Sequence, residues 1–422
     1  LPDQLEVTWP QATSTRLSNG IQVIVIPDDA NQLVSFKILH LGGKRFETEK
    51  TQGIMNFVAS MLTKGAGDLQ EFEISKRIEE KGGRVSCFSG WDSFGVSLTI
   101  LSHYIEFGVN LLSTIFKNPT FPKREMERER QFILNKIKNE TDDPVQFIVN
   151  RLCKILYGSH PYGFNTLGTL ATVSKFSEQD LMDCYRQFSN PSNTVISVVG
   201  AIDPGNALKI IDKFFGDVPP SSFEPPIVPF ETRIDQQREE ILRINKAKAH
   251  IVIGFKTISL ADQDRYPLDV LNNLLSGQGG RLFLELRDKK SLAYSVTSFL
   301  RYKLGPGFMG FYIACATPKV DRAVSGLLAE IEKIKSINIS DQEIRNSKAN
   351  LIGNHETSLQ TTWSRADNYG HNTLFGLGWN YDFEYTNKIL EVKAEDVSRV
   401  ARRYLDTEKR ITVKIIPESY VE

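Results

Sequence analysis

The chain repeats itself. FSEQDLMDCYRQFSNPSNTVISVV begins at Phe176 and VKAEDVSRVARRYLDTEKRITVKI begins at Val392; the two align without a gap at an offset of 216 (392 − 176). Asp180 meets Asp396, Arg186 meets Arg402, Phe188 meets Tyr404 and Val195 meets Ile411. Each copy reads as a capped amphipathic helix followed by a short alternating strand. LLSTIF from Leu111 matches LLAEIE from Leu327 at the same offset (327 − 111 = 216). One order of elements used twice in 422 residues implies two homologous domains of mixed α and β content. Between the copies lies PPSSFEPPIVP, Pro219 to Pro229, dense in proline and without helical periodicity, the pattern of an extended linker. The expected division is a first domain over 1–218, a linker over 219–232 and a second domain over 233–422.

Within the first half, GIQVIVIPD and LVSFKILHLGG read as strands, and an Asn19-Gly20 turn signal precedes the first. GIMNFVASML and ISKRIEEKGG read as helices, the second stopped by its glycines. VSCFSGWDSFGVSLTIL is strand-like, whereas YIEFGVNLLSTIF and REMERERQFILNKIKNE are helical. The second half follows suit: HIVIGFKT as a strand, YPLDVLNNLLS and RLFLELRDKK as helices, SLAYSVTSFL and GFMGFYIACAT as strands, then long helices. Helices do not alternate regularly with single strands. The expected fold is therefore α+β, with a mainly antiparallel sheet packed against helices in each domain, and not a doubly wound parallel sheet.

Bulk composition excludes some functions. Lys+Arg and Asp+Glu both number 51, so the chain lacks the basic excess of a nucleic-acid binder. No apolar run reaches the ~20 residues of a membrane span. Cys87, Cys153, Cys184 and Cys315 are far apart and form no CxxC, which fits small buried hydrophobes better than a cysteine metal site. The chain starts at Leu1; a removed targeting segment and artificial trimming both fit that start. The six histidines, His40, His103, His160, His250, His355 and His371, include no pair at ligand spacing, and they read as structural or surface residues. No serine nucleophile elbow and no P-loop occurs. SGQGGR, Ser276 to Arg281, reads as a flexible loop before a helix, with substrate contact as the alternative.

Four stretches together carry a resemblance: GIMNFVASMLTKG from Gly53 to Gly65, the helix around Glu129, HPYG at His160–Gly163, and RLFLELRDKKSLAYSV from Arg281. With them the chain resembles the M16 (pitrilysin-type) metallopeptidases over nearly its whole length, in the small two-domain form. The resemblance implies an inverted zinc motif, His-x-x-Glu-His, within Gly53–Gly65. In the register set by Gly53, Met61, Leu62, Lys64 and Gly65, the first His position holds Asn56, the Glu holds Ala59 and the second His holds Ser60. The third ligand, a Glu on a later helix, falls on Lys136 (or, one residue off, Asn135), while Glu129 is retained. An amide, a methyl and a hydroxyl supply neither imidazole nor carboxylate, and an ammonium at the fourth position would repel a dication. No metal is expected in this chain.

The resemblance also assigns Arg287 and Tyr294, seven residues apart (294 − 287), to the pair that holds substrate and the developing oxyanion near the zinc of active members. Guanidinium and phenol both donate hydrogen bonds to an oxygen that is gaining charge. Arg287 is expected at a helix end and Tyr294 on the strand after Ser291, with a short turn bringing the two tips together. Asp142-Asp143-Pro144 and His160–Gly163 are expected to mark the fold, Pro144 by breaking a helix and Gly163 by permitting a turn. The implied function is that of a catalytically incomplete subunit. It would form a heterodimer with a zinc-bearing M16 chain and supply Arg287 and Tyr294 in trans for peptide-bond hydrolysis. Its substrates would be peptides or unfolded segments added at a sheet edge. The alternative is a structural or presequence-binding subunit without a part in catalysis. The absent Met and the habits of the family point to a periplasmic or other extracytoplasmic location.

Overall fold

The computed structural model describes residues 11–230, 234–336 and 339–418. The expected start at Leu1, the linker residues 231–232 and the expected C-terminus at 422 lie outside the described residues.

Two sheets organise the chain. The first has six strands in the order Thr13–Arg16, Gln22–Pro27, Thr194–Gly200, Leu33–Leu41, Ser93–Leu101, Arg84–Ser89. The second has five, in the order Ser295–Arg301, Phe308–Cys315, Ala249–Lys256, Ile411–Pro417, Arg238–Ile244. Read from opposite edges the two orders coincide, apart from the extra strand Thr13–Arg16. Each sheet is antiparallel except for one parallel pair. In that pair Gln22 stands opposite Val195 and Arg238 opposite Ile411, so both partners are displaced by the same 216 residues (238 − 22 and 411 − 195). The repeat seen in sequence is thus a repeat of register. The caps repeat too: Asp180 Oδ2 accepts from Ser177 N–H at 2.8 Å, and Asp396 Oδ2 from Lys393 N–H at 3.0 Å.

Both faces of each sheet are buried, which is why strands such as QVIVIP read as continuous apolar runs rather than alternating ones. Val23 and Val25 face one core, built with helices of their own half; Ile24 and Ile26 face another. The second core of each sheet is supplied by the opposite half. Helix Thr362–Leu374, with Ala366 and Tyr369, packs on Ile24, Leu39, Val195 and Val199 of the first sheet. Helix Pro144–Tyr157, with Phe147, Ile148 and Leu152, packs on Val252, Ile411 and Val413 of the second. Close approach is secured by glycine on either side. A Cβ on Gly254 would lie 2.5 Å from Leu152, and one on Gly370 would lie 2.4 Å from Leu39. Polar ties follow the same exchange: Arg365 pairs with Asp28, Lys37 with Asp367, and Arg151 with Glu240. The halves share their cores and do not sit as beads on a string.

Three local expectations change. Pro144 does not break a helix: it occupies the first helical position, where a missing N–H is harmless, and the Asp143 carboxylate accepts from Val145 N–H and Gln146 N–H. VSCFSGWDSFGVSLTIL is two antiparallel strands that turn at Gly90. RLFLELRDKK winds as a π-helix over Phe283–Lys289. The proline-rich connection carries no helix or strand over 219–230, but it is anchored: the Phe230 ring stacks on His160 with centroids 3.9 Å apart. Among the described residues no helix is long and apolar enough to cross a membrane.

Candidate functional site

Helix Ile54–Met61 forms because Ile54, Met55, Phe57, Val58 and Met61 recur on a face that enters the first core. Gly53, with φ 88, begins it. The buried Glu47 carboxylate takes the first amides, accepting from Gly53 N–H at 2.9 Å and Met55 N–H at 3.1 Å. Burial pushes the Glu47 carboxyl up to about 7, opposed by those two amides and by Lys44.

The positions assigned to the zinc motif lie on this helix. Asn56 and Ser60 are half-buried one turn apart, and Ala59 is buried. Ser60 Oγ donates to the Phe57 carbonyl at 2.9 Å, so its hydroxyl is satisfied within its own turn. Helix Lys123–Lys138 packs alongside, fixed by Arg130, whose guanidinium lies 5.4 Å from the Phe57 ring centre and donates to the Val173 and Phe176 carbonyls. Glu129 is half-buried on this helix. Lys136 is exposed, and its ammonium rests 4.2 Å over the Phe132 ring of its own helix. At Lys136, the position matched to the third zinc ligand, a ring face of the same helix offers the ammonium an electrostatic partner. An amide, a methyl group already packed in the core and a locally bonded hydroxyl do not fit a zinc ion. Among the described residues no cluster of three or more His, Cys, Asp or Glu could hold a metal.

Arg287 lies in the last turn of the π-helix and Tyr294 immediately before strand Ser295–Arg301. Buried Leu282 and Leu286 fix the helix, and Leu292 N–H returns to the Leu286 carbonyl at 2.8 Å. Ser291 makes the turn at φ 49, held by Lys319 Nζ donating to its carbonyl at 2.8 Å. Tyr294 N–H then joins the sheet through the Ala314 carbonyl at 2.8 Å. On this frame both side chains are exposed. The Arg287 guanidinium lies 4.7 Å over the Phe283 ring, and Lys248 Nζ lies 4.4 Å over the Tyr294 ring. No hydrogen bond joins the two side chains among the described residues. The expected turn is present; the expected meeting of the two tips is not shown by any contact.

The structure also assembles groups that sequence spacing did not connect. His371 Nε2 is 2.9 Å from Ser93 Oγ, and its Nδ1 is 3.2 Å from the Asp367 carboxylate. The order matches a hydrolytic triad, but Lys37 is paired with the same carboxylate and Ser93 is only 5% exposed. Asp367 is thus engaged and cannot freely steady an imidazolium; the contact ties the two halves. His160 Nδ1 accepts from Tyr162 N–H at 3.0 Å, and Tyr162 Oη donates to Asp92, so HPYG is a structural joint.

Residues 23–170 match the sequence profile described as insulinase (peptidase family M16), and residues 175–351 match the one described as the peptidase M16 inactive domain. The chain is 28% identical to the uncharacterized zinc protease YmxG of Bacillus subtilis, with 91% of this chain and 93% of that one covered. It is 24% identical to the zinc protease PqqE of Helicobacter pylori, covering 97% and 93% of the two chains. Among solved structures, a protease from Helicobacter pylori shares the fold with a TM-score of 0.90 at 21% identity, covering 97% of this chain and 100% of that one. A peptidase M16 inactive domain from Pseudomonas fluorescens does so with a TM-score of 0.90 at 18% identity, covering 97% and 99%. The duplicated α+β architecture and the two adjoining profile matches agree: the chain belongs to peptidase family M16.

Proposed function

We propose that this chain is a catalytically incomplete M16 subunit, not a peptidase alone, and that it pairs with a zinc-bearing M16 chain to act on peptides or unfolded segments. The observation that carries this reading is a contrast within one molecule. The helix that would hold a metal presents Asn56, Ala59 and Ser60, whereas Arg287 and Tyr294 stand exposed on either side of a well-fixed turn. In this reading the partner supplies the zinc and its water. Arg287 and Tyr294 supply hydrogen bonds to the substrate backbone and to the carbonyl oxygen as it gains charge. The Arg287 guanidinium rests 4.7 Å over the Phe283 ring of its own helix.

The test is reconstitution. Alone, the chain should carry no stoichiometric zinc by elemental analysis and should cleave no unfolded peptide. Mixed with an M16 chain bearing an intact His-x-x-Glu-His, it should form a complex by sedimentation and raise peptide turnover. Zinc in the isolated chain, or cleavage by it alone, would overturn the proposal. A stable complex whose turnover ignores Arg287 and Tyr294 would assign the chain to the structural role instead.

A further inference from the structure

A cavity of about 360 Å³ opens at the seam between the halves. Trp91 and Asp92 enter it from the turn at the edge of the first sheet, Tyr302 and Lys303 from the loop after strand Ser295–Arg301, and Phe375 from the end of the crossing helix. Three carboxylates line it, and each is already answered. Asp92 accepts from Tyr162 Oη and from Leu304 N–H at 3.2 Å, with Arg45 at 3.5 Å. Asp367 pairs with Lys37 and His371. Asp382 pairs with Arg265 at 3.1 Å and accepts from Asn368 and Asn372 at 2.7 and 3.1 Å.

Lys303 is different. It is 8% exposed, its Nζ lies 3.8 Å from the Trp91 ring centre, and that Nζ has no hydrogen-bond or ion-pair partner among the described residues. Arg265, which lines the same cavity, leaves its buried Nη1 without a hydrogen-bond acceptor among the described residues. A buried ammonium with no direct ion pair is costly, and the Trp91 ring and the nearby Asp92 charge offset only part of that cost. Two outcomes relieve it: loss of the proton, or arrival of an anion. Burial holds the Lys303 pKa down to about 7; Asp92 and Cys153 pull it up, while Lys44 and Arg301 push it down.

We propose that the seam cavity binds a small monocarboxylate, with its charge received by Lys303 Nζ and its apolar body against Trp91, Leu260 and Phe375. One unpaired cation matches one negative charge, and the carboxylates of Asp92, Asp367 and Asp382 disfavour a dianion such as phosphate. The volume leaves room for more than acetate. Because the lining comes from both halves, the ligand would also hold them together.

Titration calorimetry on the full chain tests this with butyrate and phenylacetate against butyramide and phenylacetamide. At pH 6 the carboxylates should bind at least about tenfold more tightly than the amides, as a charge-assisted contact requires. Lys303→Met should weaken carboxylate binding by a similar factor, and Lys303→Arg should retain it. In the unmodified chain, affinity should fall as pH rises from 6 to 8.5, and binding at pH 8 should take up a proton, read from the heats in two buffers of different ionisation enthalpy. Equal binding of the amides, unchanged binding by Lys303→Met, absence of proton uptake, no binding of either carboxylate, or phosphate binding as tightly as the carboxylates would each overturn the assignment.

Discussion

The surroundings of helix Ile54–Met61 and the turn from Arg287 to Tyr294 treat polar groups in opposite ways. Around the helix several are engaged internally: Glu47 with two backbone amides, Ser60 with the Phe57 carbonyl, Arg130 with two carbonyls, and Glu71 with Lys64 and Arg128. Beside the turn, the Arg287 side chain rests over a ring face and the Tyr294 ring carries an ammonium, with no hydrogen bond or ion pair to either side chain among the described residues. Groups satisfied within the fold hold it together; groups left at the surface are available to another molecule. Substitutions in the first region should therefore cost stability, and those in the second should cost turnover of the assembled complex.

The largest effect is expected at Phe57, whose ring is fully buried beneath Arg130. Phe57→Ala should lower unfolding free energy by about 3–5 kcal/mol in urea titration. A loss below about 1 kcal/mol would mean that this helix is not a rigid part of the core. Next comes Arg287→Ala, which should reduce kcat of the reconstituted complex by about 10²–10³-fold, the scale of losing one donor to a developing oxyanion. Its own stability should stay within about 0.5 kcal/mol, as expected of an exposed residue. A loss of stability comparable to that at Phe57 would erase the contrast.

Glu47 gives a pH signature. Its folded pKa, about 7, lies above the ordinary value of 4.5, so the folded chain holds the proton more tightly than the unfolded chain. This contribution to stability is fully present below about 4.5 and is lost as pH rises through 7, at up to about 1.4 kcal/mol per pH unit. Urea midpoints at pH 5, 6 and 7 should fall in that order, and Glu47→Gln should flatten the trend; an unchanged slope in that variant would place the proton elsewhere. The smallest effect is expected at Lys136. Exposed over Phe132, it should tolerate Lys136→Ala within about 0.5 kcal/mol. A loss of more than about 1 kcal/mol by urea titration would show that its charge supports the fold.

Much of the fold was legible in sequence. The 216-residue offset between Val195 and Ile411 reappears as identical register in the two parallel strand pairs. The apolar stripe of Ile54, Phe57, Val58 and Met61 is the buried face of its helix. What sequence hid was partnership. Helices Pro144–Tyr157 and Thr362–Leu374 show amphipathic faces, but periodicity states that a face is buried and not against which sheet. The π winding over Phe283–Lys289 has no propensity signature, because it follows from how Leu282, Leu286 and Leu292 pack. The burial of Lys303 and Lys44 has no sequence signature, since charge in a sequence says nothing of burial. Asn56, Ala59, Ser60 and Lys136 were readable only against a motif.

The central claim is that the second half of this chain serves a metal held by another. Steady-state peptide hydrolysis by the complex with a zinc-bearing M16 chain tests it most directly, with Tyr294→Phe compared against the unmodified chain at equal occupancy. The account predicts an intact complex, unchanged zinc content and a fall in kcat of about tenfold or more, because a single hydroxyl donor is lost where charge develops. Unchanged kcat in an intact complex would contradict it.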